Sequence, residues 1–352
     1  MLERPDTAPD LSNDKSTIQV GGGQLSITDL VRVARHHETV GELAPEALAK
    51  VEASEAWVAQ TVQQISESKQ NGTQATAYYG INTGFGALAG RSALDSIYLT
   101  KVLGHNLISS HSVGVGDYFD EEVVRATLLI RAQSLAQGYS GVRPMIINKL
   151  VAMLNAGVYP AVPEQGSLGA SGDLAPLAHL LLVMCSVPTP SANDTDLNLD
   201  RTDGEAFVPY APANDQSGDA PYLHLTQASA GDEQTLWQRV PGAIAMATAG
   251  GKVELQTKEA LALCNGATVS AAIAALVVKD AENLLANAEL VTAMTLEGMR
   301  GFRDPFYPHV HEARGHDAAI QTAAQVLRYV EGSEIVDIGD LKTNPGRVPP
   351  QD

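Results

Sequence analysis

A chain of 352 residues can bury a large core, and at about 150 residues per domain it is expected to fold as two domains. Its 23 Lys and Arg against 41 Asp and Glu leave a formal net charge of −18, which argues against nucleic acid or an anionic membrane as partner. No apolar run reaches about 18 residues, so no membrane span is expected. The polar opening stretch MLERPDTAPDLSNDKST lacks the basic and apolar regions of a secretory leader. Cys185 and Cys264 both sit in apolar runs and are expected as buried free thiols, which points to a cytoplasmic protein rather than a secreted disulfide scaffold.

In chain order, residues 1–15 read as a disordered tail, rich in Pro, Asp, Asn and Ser without periodicity. Short strands are expected at residues 18–20 and 25–27, flanking a run of three glycines. A helix then starts near Thr28 or Asp29. Residues 45–69 carry Leu48, Val51, Val58, Val62 and Ile65 at helical spacing. Residues 77–90 break that pattern with four glycines and must form a loop. Helices follow at 94–112 and 121–137, the second opened by the acidic turn Asp120, Glu121 and Glu122. Another runs from Arg143 and Pro144 to Ala156 and is stopped by Gly157.

An extended Pro/Gly segment then leads into an apolar helix that ends near 187. Residues 188–235 are polar and acidic, and are expected as a surface insertion. Strong helical patterning returns from 255 to about 300 and again at 317–330, and the last dozen residues trail off. The expected organisation is a tail at 1–15, an N-terminal domain at 16–187, the insertion at 188–235, and the first part of a helical domain at 236–352.

The most informative stretch is Gly166-Ser-Leu-Gly-Ala-Ser-Gly-Asp173. On composition alone it is a tight turn opening a helix, with Asp173 at the N-cap, or an anion site at that helix terminus. A covalent reading stands beside this one. In Ala170-Ser171-Gly172 the amide nitrogen of Gly172 can attack the carbonyl of Ala170, since glycine has no Cβ in the way. Loss of two waters, one taking the Ser171 hydroxyl, leaves a ring with an exocyclic methylene, an electrophile built from backbone.

GSLGASGDLAPLAHL resembles the signature of the aromatic amino acid ammonia-lyase and aminomutase family. Other segments are similar in the same order: Tyr79-Gly-Ile-Asn-Thr-Gly-Phe-Gly86 to the catalytic tyrosine loop, and Asn106-Leu-Ile-Ser-Ser-His111 to the substrate-recognition helix. Gly138-Tyr-Ser-Gly-Val-Arg143 resembles a connecting segment, and Lys258-Glu-Ala-Leu-Ala-Leu-Cys-Asn265 the segment with the active-site asparagine. Together the likeness covers roughly residues 20–187 and 250–352.

The resemblance implies a mainly α fold, a long-helix bundle with a smaller mixed α/β N-terminal domain carrying the electrophile. It implies that Ala170, Ser171 and Gly172 become 4-methylidene-imidazol-5-one with no external cofactor. Tyr79 would take the β-proton, although a free tyrosine has a pKa of about 10 and would have to be lowered. Gly86, His111 and Asn265 would line the substrate, a small aromatic amino acid. A homotetramer with shared sites is also implied.

Ser110-His111 suits a polar ring, imidazole or phenol, and with the GINTGFG loop is most similar to histidine-specific members. Tyrosine lyases and tyrosine 2,3-aminomutases also carry Ser-His. A non-catalytic chain that binds a partner subunit is the reading from another class. Family members continue past Gln351-Asp352, which resemble the start of a motif supplying a second tyrosine and a carboxylate-binding arginine, so catalysis is expected to need that further segment.

Two weaker signals compete. His309-Val-His311-Glu312 with His316 has the look of a metal cluster, but the surrounding segment resembles a family stretch with structural histidines. Asp194, Asp196, Asn198 and Asp200 faintly follow a calcium loop, yet Leu199 stands where that loop needs glycine. No metal is expected.

Overall fold

A computed structural model describes residues 17–90, 96–168, 171–190, 194, 197, 199, 201–209 and 237–337. The expected N-terminal tail, Ala170, most of the acidic insertion, the calcium-like stretch apart from Asp194, Leu197 and Leu199, and the trailing C-terminus lie outside them. The chain divides into two units, residues 1–276 and 277–352.

In the first unit, β1 (Ile18–Gln19) pairs in parallel with β2 (Val40–Gly41) around α1 (Ile27–His36). The strand expected at 25–27 does not form. Ser26 instead caps α1, its hydroxyl accepting from the backbone N–H of Asp29, so local capping outweighs the β-leaning of Leu25 and Ile27. The long helix α2 (Pro45–Gln70) starts on a proline at its first position, where a missing N–H costs nothing, and buries Val51, Val58 and Ile65. The glycine-rich loop that follows contains one 3-10 turn at Gly86–Leu88.

Ser96 caps α3 (Ile97–His111), which leads into β3 (Val115–Tyr118). Next come α4 (Glu121–Leu135), α5 (Pro144–Asn155), β4 (Tyr159–Pro160), β5 (Pro163–Gln165) and α6 (Leu174–Met184). The core sits among α4, α5 and α6, where Leu128, Ile146, Ile147, Leu150, Leu177 and Leu181 are almost wholly buried. Each such side chain contributes roughly 2 kcal/mol of burial.

Beyond α6 lie β6 (Cys185–Ser186), β7 (Glu205–Pro209), β8 (Trp237–Pro241), α7 (Gly242–Ala247), β9 (Val253–Glu254) and α8 (Glu259–Cys264). β7 falls within the stretch expected as an acidic surface insertion. It runs antiparallel between β4 and β8, which buries Ala206 and Phe207. Its partners lie far away in sequence, and the local polarity of 188–235 conceals it. Cys264 is buried as expected, whereas Cys185 is only half-buried because it opens the short two-stranded pair β6–β9; both are free.

The helix α9 (Thr268–Gly298) crosses the boundary between the units. The second unit also holds α10 (Pro308–Glu312) and α11 (Asp317–Tyr329), with a small cluster of Ala293, Val326, Val330 and Val336. The described residues are mainly helical with small sheets, as the patterning predicts. Among them no helix is long and apolar enough to cross a membrane.

Candidate active site

Gly172 follows Ser171 with φ +93°, a conformation in which an L side chain is strained. A Cβ there would stand 2.9 Å from Cα of Ala267, so this turn is pressed directly against the segment joining α8 to α9. Gly172 and Gly266 form an isolated parallel bridge, and the N–H of Asp173 donates to the Gly266 carbonyl at 3.3 Å.

Asp173, 1 % exposed, departs from its expected role. It occupies the N-cap position of α6 but makes no side-chain cap bond there. Its carboxylate accepts instead from the Ser270 backbone N–H at 2.8 Å and the Ser270 hydroxyl at 2.7 Å, which caps the first turn of α9 from a distance of 97 residues. Two donors at one helix N-terminus, with the favourable end of its dipole, outweigh the single N–H that α6 offers. Ser167 shares its hydroxyl hydrogen between Asp173 at 2.8 Å and the Gly172 carbonyl at 3.0 Å. Gly172 and Asp173 are thus held by Ser167 on one side, and Asp173 by α9 on the other.

Asn265 stands where α8 breaks, with φ −91° and ψ 117°, and is exposed. The break is held from below by Arg131 of α4. Its Nε and Nη2 donate to the Leu263 carbonyl at 2.8 and 2.6 Å, and Nη2 also to the Asn265 carbonyl at 2.8 Å. The start of α8 is held by buried Glu259, which accepts from Arg143 Nε at 2.9 Å and Nη2 at 2.8 Å, and from the backbone N–H groups of Arg143 and Gln256.

The tyrosine loop packs on the same short helix. A Cβ on Gly80 would lie 2.4 Å from Leu261 Cδ2, so only glycine allows this approach. Tyr78 and Tyr79, equivalent by composition, differ in environment. Tyr78 packs edge-on against Trp57 at 5.8 Å and joins a small apolar cluster with Val58, Ile65 and Ile81. Tyr79 is 51 % exposed, and its hydroxyl accepts from the N–H of Gly86 at 3.3 Å, in its own loop. Gly86 has φ +53° and open space around its Cα. Behind this loop a cavity of about 160 Å³ is lined by Ile65, Ile81, Asn82 and Thr100, and neither Gly172 nor Asn265 reaches it.

His111 ends α3. Its Nδ1 lies 2.8 Å from the Leu107 carbonyl, which can only accept, so Nδ1 carries the hydrogen and Nε2 is left outside that bond. The chain beyond it packs on elements that flank Ser171 and Gly172 in sequence: β3 pairs with β5, and the N–H of Gly114 donates to Nε2 of His179 on α6 at 3.0 Å. Burial lowers the pKa of His179, keeping its imidazole neutral and able to accept there.

The structure therefore joins Gly172 to the Asn265–Gly266 break, and packs the Tyr79 loop and α3 against α8. The pattern alone missed Arg131, Ser167, His179 and Ser270. Only Arg131 left a signal, a charge inside the apolar run ATLLIRAQSLA. His309 and His311 fall on α10, where residues two apart point to opposite sides, and His311 Nε2 lies 2.9 Å from the Pro305 carbonyl. Among the described residues no three His, Cys, Asp or Glu side chains converge on a common point.

The family model for aromatic amino acid lyases matches residues 25–197 and 207–352. The histidine ammonia-lyase of Alkaliphilus metalliredigens is 37 % identical over 336 residues, covering 95 % of this chain and 54 % of that protein. That of Gloeobacter violaceus is 40 % identical over 316 residues, covering 90 % and 51 %. Among solved structures, the tyrosine aminomutase of Streptomyces globisporus superposes with a TM-score of 0.68 at 30 % identity, covering 91 % of this chain and 50 % of that one. The chain spans about half the length of the relatives it matches.

Proposed function

Because the chain belongs to the aromatic amino acid lyase family, we propose that it carries the electrophile-forming half of an ammonia-lyase site, and that the whole protein converts L-histidine to urocanate and ammonia. The observation that carries this reading is the turn at Ser171 and Gly172, held at positive φ against Gly266 and Ala267 with Asp173 anchored on α9.

That turn suits cyclisation. The Gly172 nitrogen attacks the Ala170 carbonyl carbon, and the Ala170 oxygen leaves as water with the amide hydrogens of Ser171 and Gly172. The Ser171 hydroxyl then leaves with its α-hydrogen as a second water. The resulting 4-methylidene-imidazol-5-one supplies an electrophilic carbon that turns an amino group into a better leaving group. Tyr79, exposed in its loop, acts as the phenolate: its oxygen takes the substrate's β-proton and becomes the neutral phenol. Asn265, at the break that Arg131 supports, would offer its amide to the substrate or to the ring once formed. His111 recognises the substrate ring through Nε2, and Gly86 leaves room for it.

Apolar side chains on α9, among them Leu284 at 71 % and Met294 at 63 % exposure, support a homotetramer built through this helix. Two free cysteines fit the reducing cytoplasm.

Intact mass of the purified chain tests the reading. We expect a deficit of two water molecules in the peptide containing Ser171, absent in Ser171→Ala. A wild-type mass equal to the unmodified sequence would rule it out and favour a non-catalytic partner subunit. L-Tyrosine deamination or a 2,3-amino shift is the second reading, favoured by the likeness to the tyrosine aminomutase. Product analysis of the whole-length protein with each amino acid separates the two: urocanate from histidine supports the first, and turnover of tyrosine alone the second.

A further inference from the structure

Arg131 is 5 % exposed, and its guanidinium bonds go to carbonyl oxygens. No carboxylate lies within ion-pair distance of it among the described residues. A desolvated cation held only by backbone is costly, and burial lowers its pKa to about 10. The carbonyls it meets are those left over where α8 ends, and unmet carbonyls at a buried helix end need donors. One planar fork reaches both Leu263 and Asn265 across the break, which a single ammonium cannot do.

The contact continues into the next residue. A Cβ on Gly266 would lie 3.1 Å from Arg131 Nη1, so the guanidinium also backs the residue that bridges Gly172. From α4 upward the order is Arg131, then the Asn265–Gly266 break, then the turn of Ser171 and Gly172.

We infer that Arg131 is a positioning residue for the electrophile: it clamps the end of α8 so that Gly266 and Ala267 press Gly172 into the conformation that cyclises. The inference rests on the cyclisation reading above. It assigns Arg131 no contact with substrate. Without the clamp, Gly266 and Ala267 move away from Gly172, and the attack of its nitrogen on Ala170 slows.

Four full-length chains decide it: wild type, Arg131→Met, Arg131→Lys and Arg125→Met, the last removing another buried arginine of the same helix. Each is made by cell-free synthesis, and the fraction two waters lighter is followed over time by peptide mass, with the urea midpoint measured in parallel. We expect cyclisation to slow about 100-fold in Arg131→Met, as for a misplacement of ~1 Å, with partial recovery in Arg131→Lys. Arg125→Met should lose stability yet cyclise at the wild-type rate.

A folded Arg131→Met or Arg131→Lys that cyclises as fast as wild type would overturn the inference. So would slowing in Arg125→Met in the same proportion to lost stability, which is what a purely structural arginine predicts. Should Arg131→Met not fold, Arg131→Lys and Arg125→Met still decide between these results. A wild-type chain that never loses water removes the underlying reading and this inference with it, a result distinct from failure of the clamp alone.

Discussion

Six residues and about 9 Å separate Arg125 from Arg131 along α4. Both are buried, at 3 % and 5 % exposure, and they serve different ends. Arg125 lies in a cluster of side chains. It donates to the carbonyls of Val33 at 2.8 Å and Leu154 at 3.4 Å and to the Tyr159 hydroxyl, and it stacks over the Tyr159 ring. Glu121 completes that cluster, with one carboxylate oxygen 3.4 Å from His37 Nδ1 and without a hydrogen bond. Arg131 meets only the backbone at a helix break. The same residue type at similar depth thus ties α4 to its neighbours at one point and shapes a reactive turn at the other.

The largest effect expected from breaking this contrast is at Asp173, the anion on the reactive side. Asp173→Asn keeps one acceptor oxygen for the Ser270 N–H but loses the charge and the second acceptor, so the anchor on α9 is weakened. Water loss at Ser171 should fall about 100-fold by peptide mass, and the urea midpoint should drop by the equivalent of about 2 kcal/mol. Normal water loss in a folded Asp173→Asn would remove Asp173 from the reactive side.

Next comes Arg125→Met. It leaves the carbonyls of Val33 and Leu154 and the Tyr159 hydroxyl without their donor and removes the cation near Glu121, at a cost of about 3 kcal/mol in equilibrium unfolding. An unchanged midpoint would mean that the cluster contributes nothing to stability.

A third test uses pH. Burial, the largest influence, pushes Glu121 up to about 7 against the attraction of Arg125, whereas an unfolded glutamate titrates near 4.5. The folded state therefore holds a proton that the unfolded state has lost between those values. The stability contributed is fully present below about 4.5 and is lost as pH rises towards about 7, by on the order of 1–3 kcal/mol. Glu121→Gln should flatten that slope in urea titrations across this window; a slope unchanged by the substitution would assign it to other groups.

The smallest effect concerns Cys264, whose thiol burial pushes up to about 12. A thiol reagent at mildly alkaline pH should label it only after unfolding. Rapid labelling of the native chain would mean that the α8 break opens readily.

Much of the fold was legible because its signals are local. The apolar spacing of α2, the glycine interruption of residues 77–90 and the stop of α5 before Gly157 each lie within one stretch of chain. The turn at Gly172 was legible for the same reason. What escaped depends on distant partners. β7 looks like polar insertion until β4 and β8 flank it. Asp173 looks like the cap of its own helix until Ser270 supplies better donors. Tyr78 and Tyr79 look alike until Trp57 takes one of them into a cluster.

The sequence by itself determined which atoms are available for chemistry: a serine hydroxyl between an alanine carbonyl and a glycine nitrogen, in a run that matches one family. Tertiary structure decided how those atoms are held. The hydrogen bonds of Asp173 span 97 residues, those of Arg131 to Leu263 span 132, and the bridge of Gly172 joins a segment nearly as far away. Directional bonds over such separations exist only once the core has brought their elements together, so no local pattern of residues encodes them.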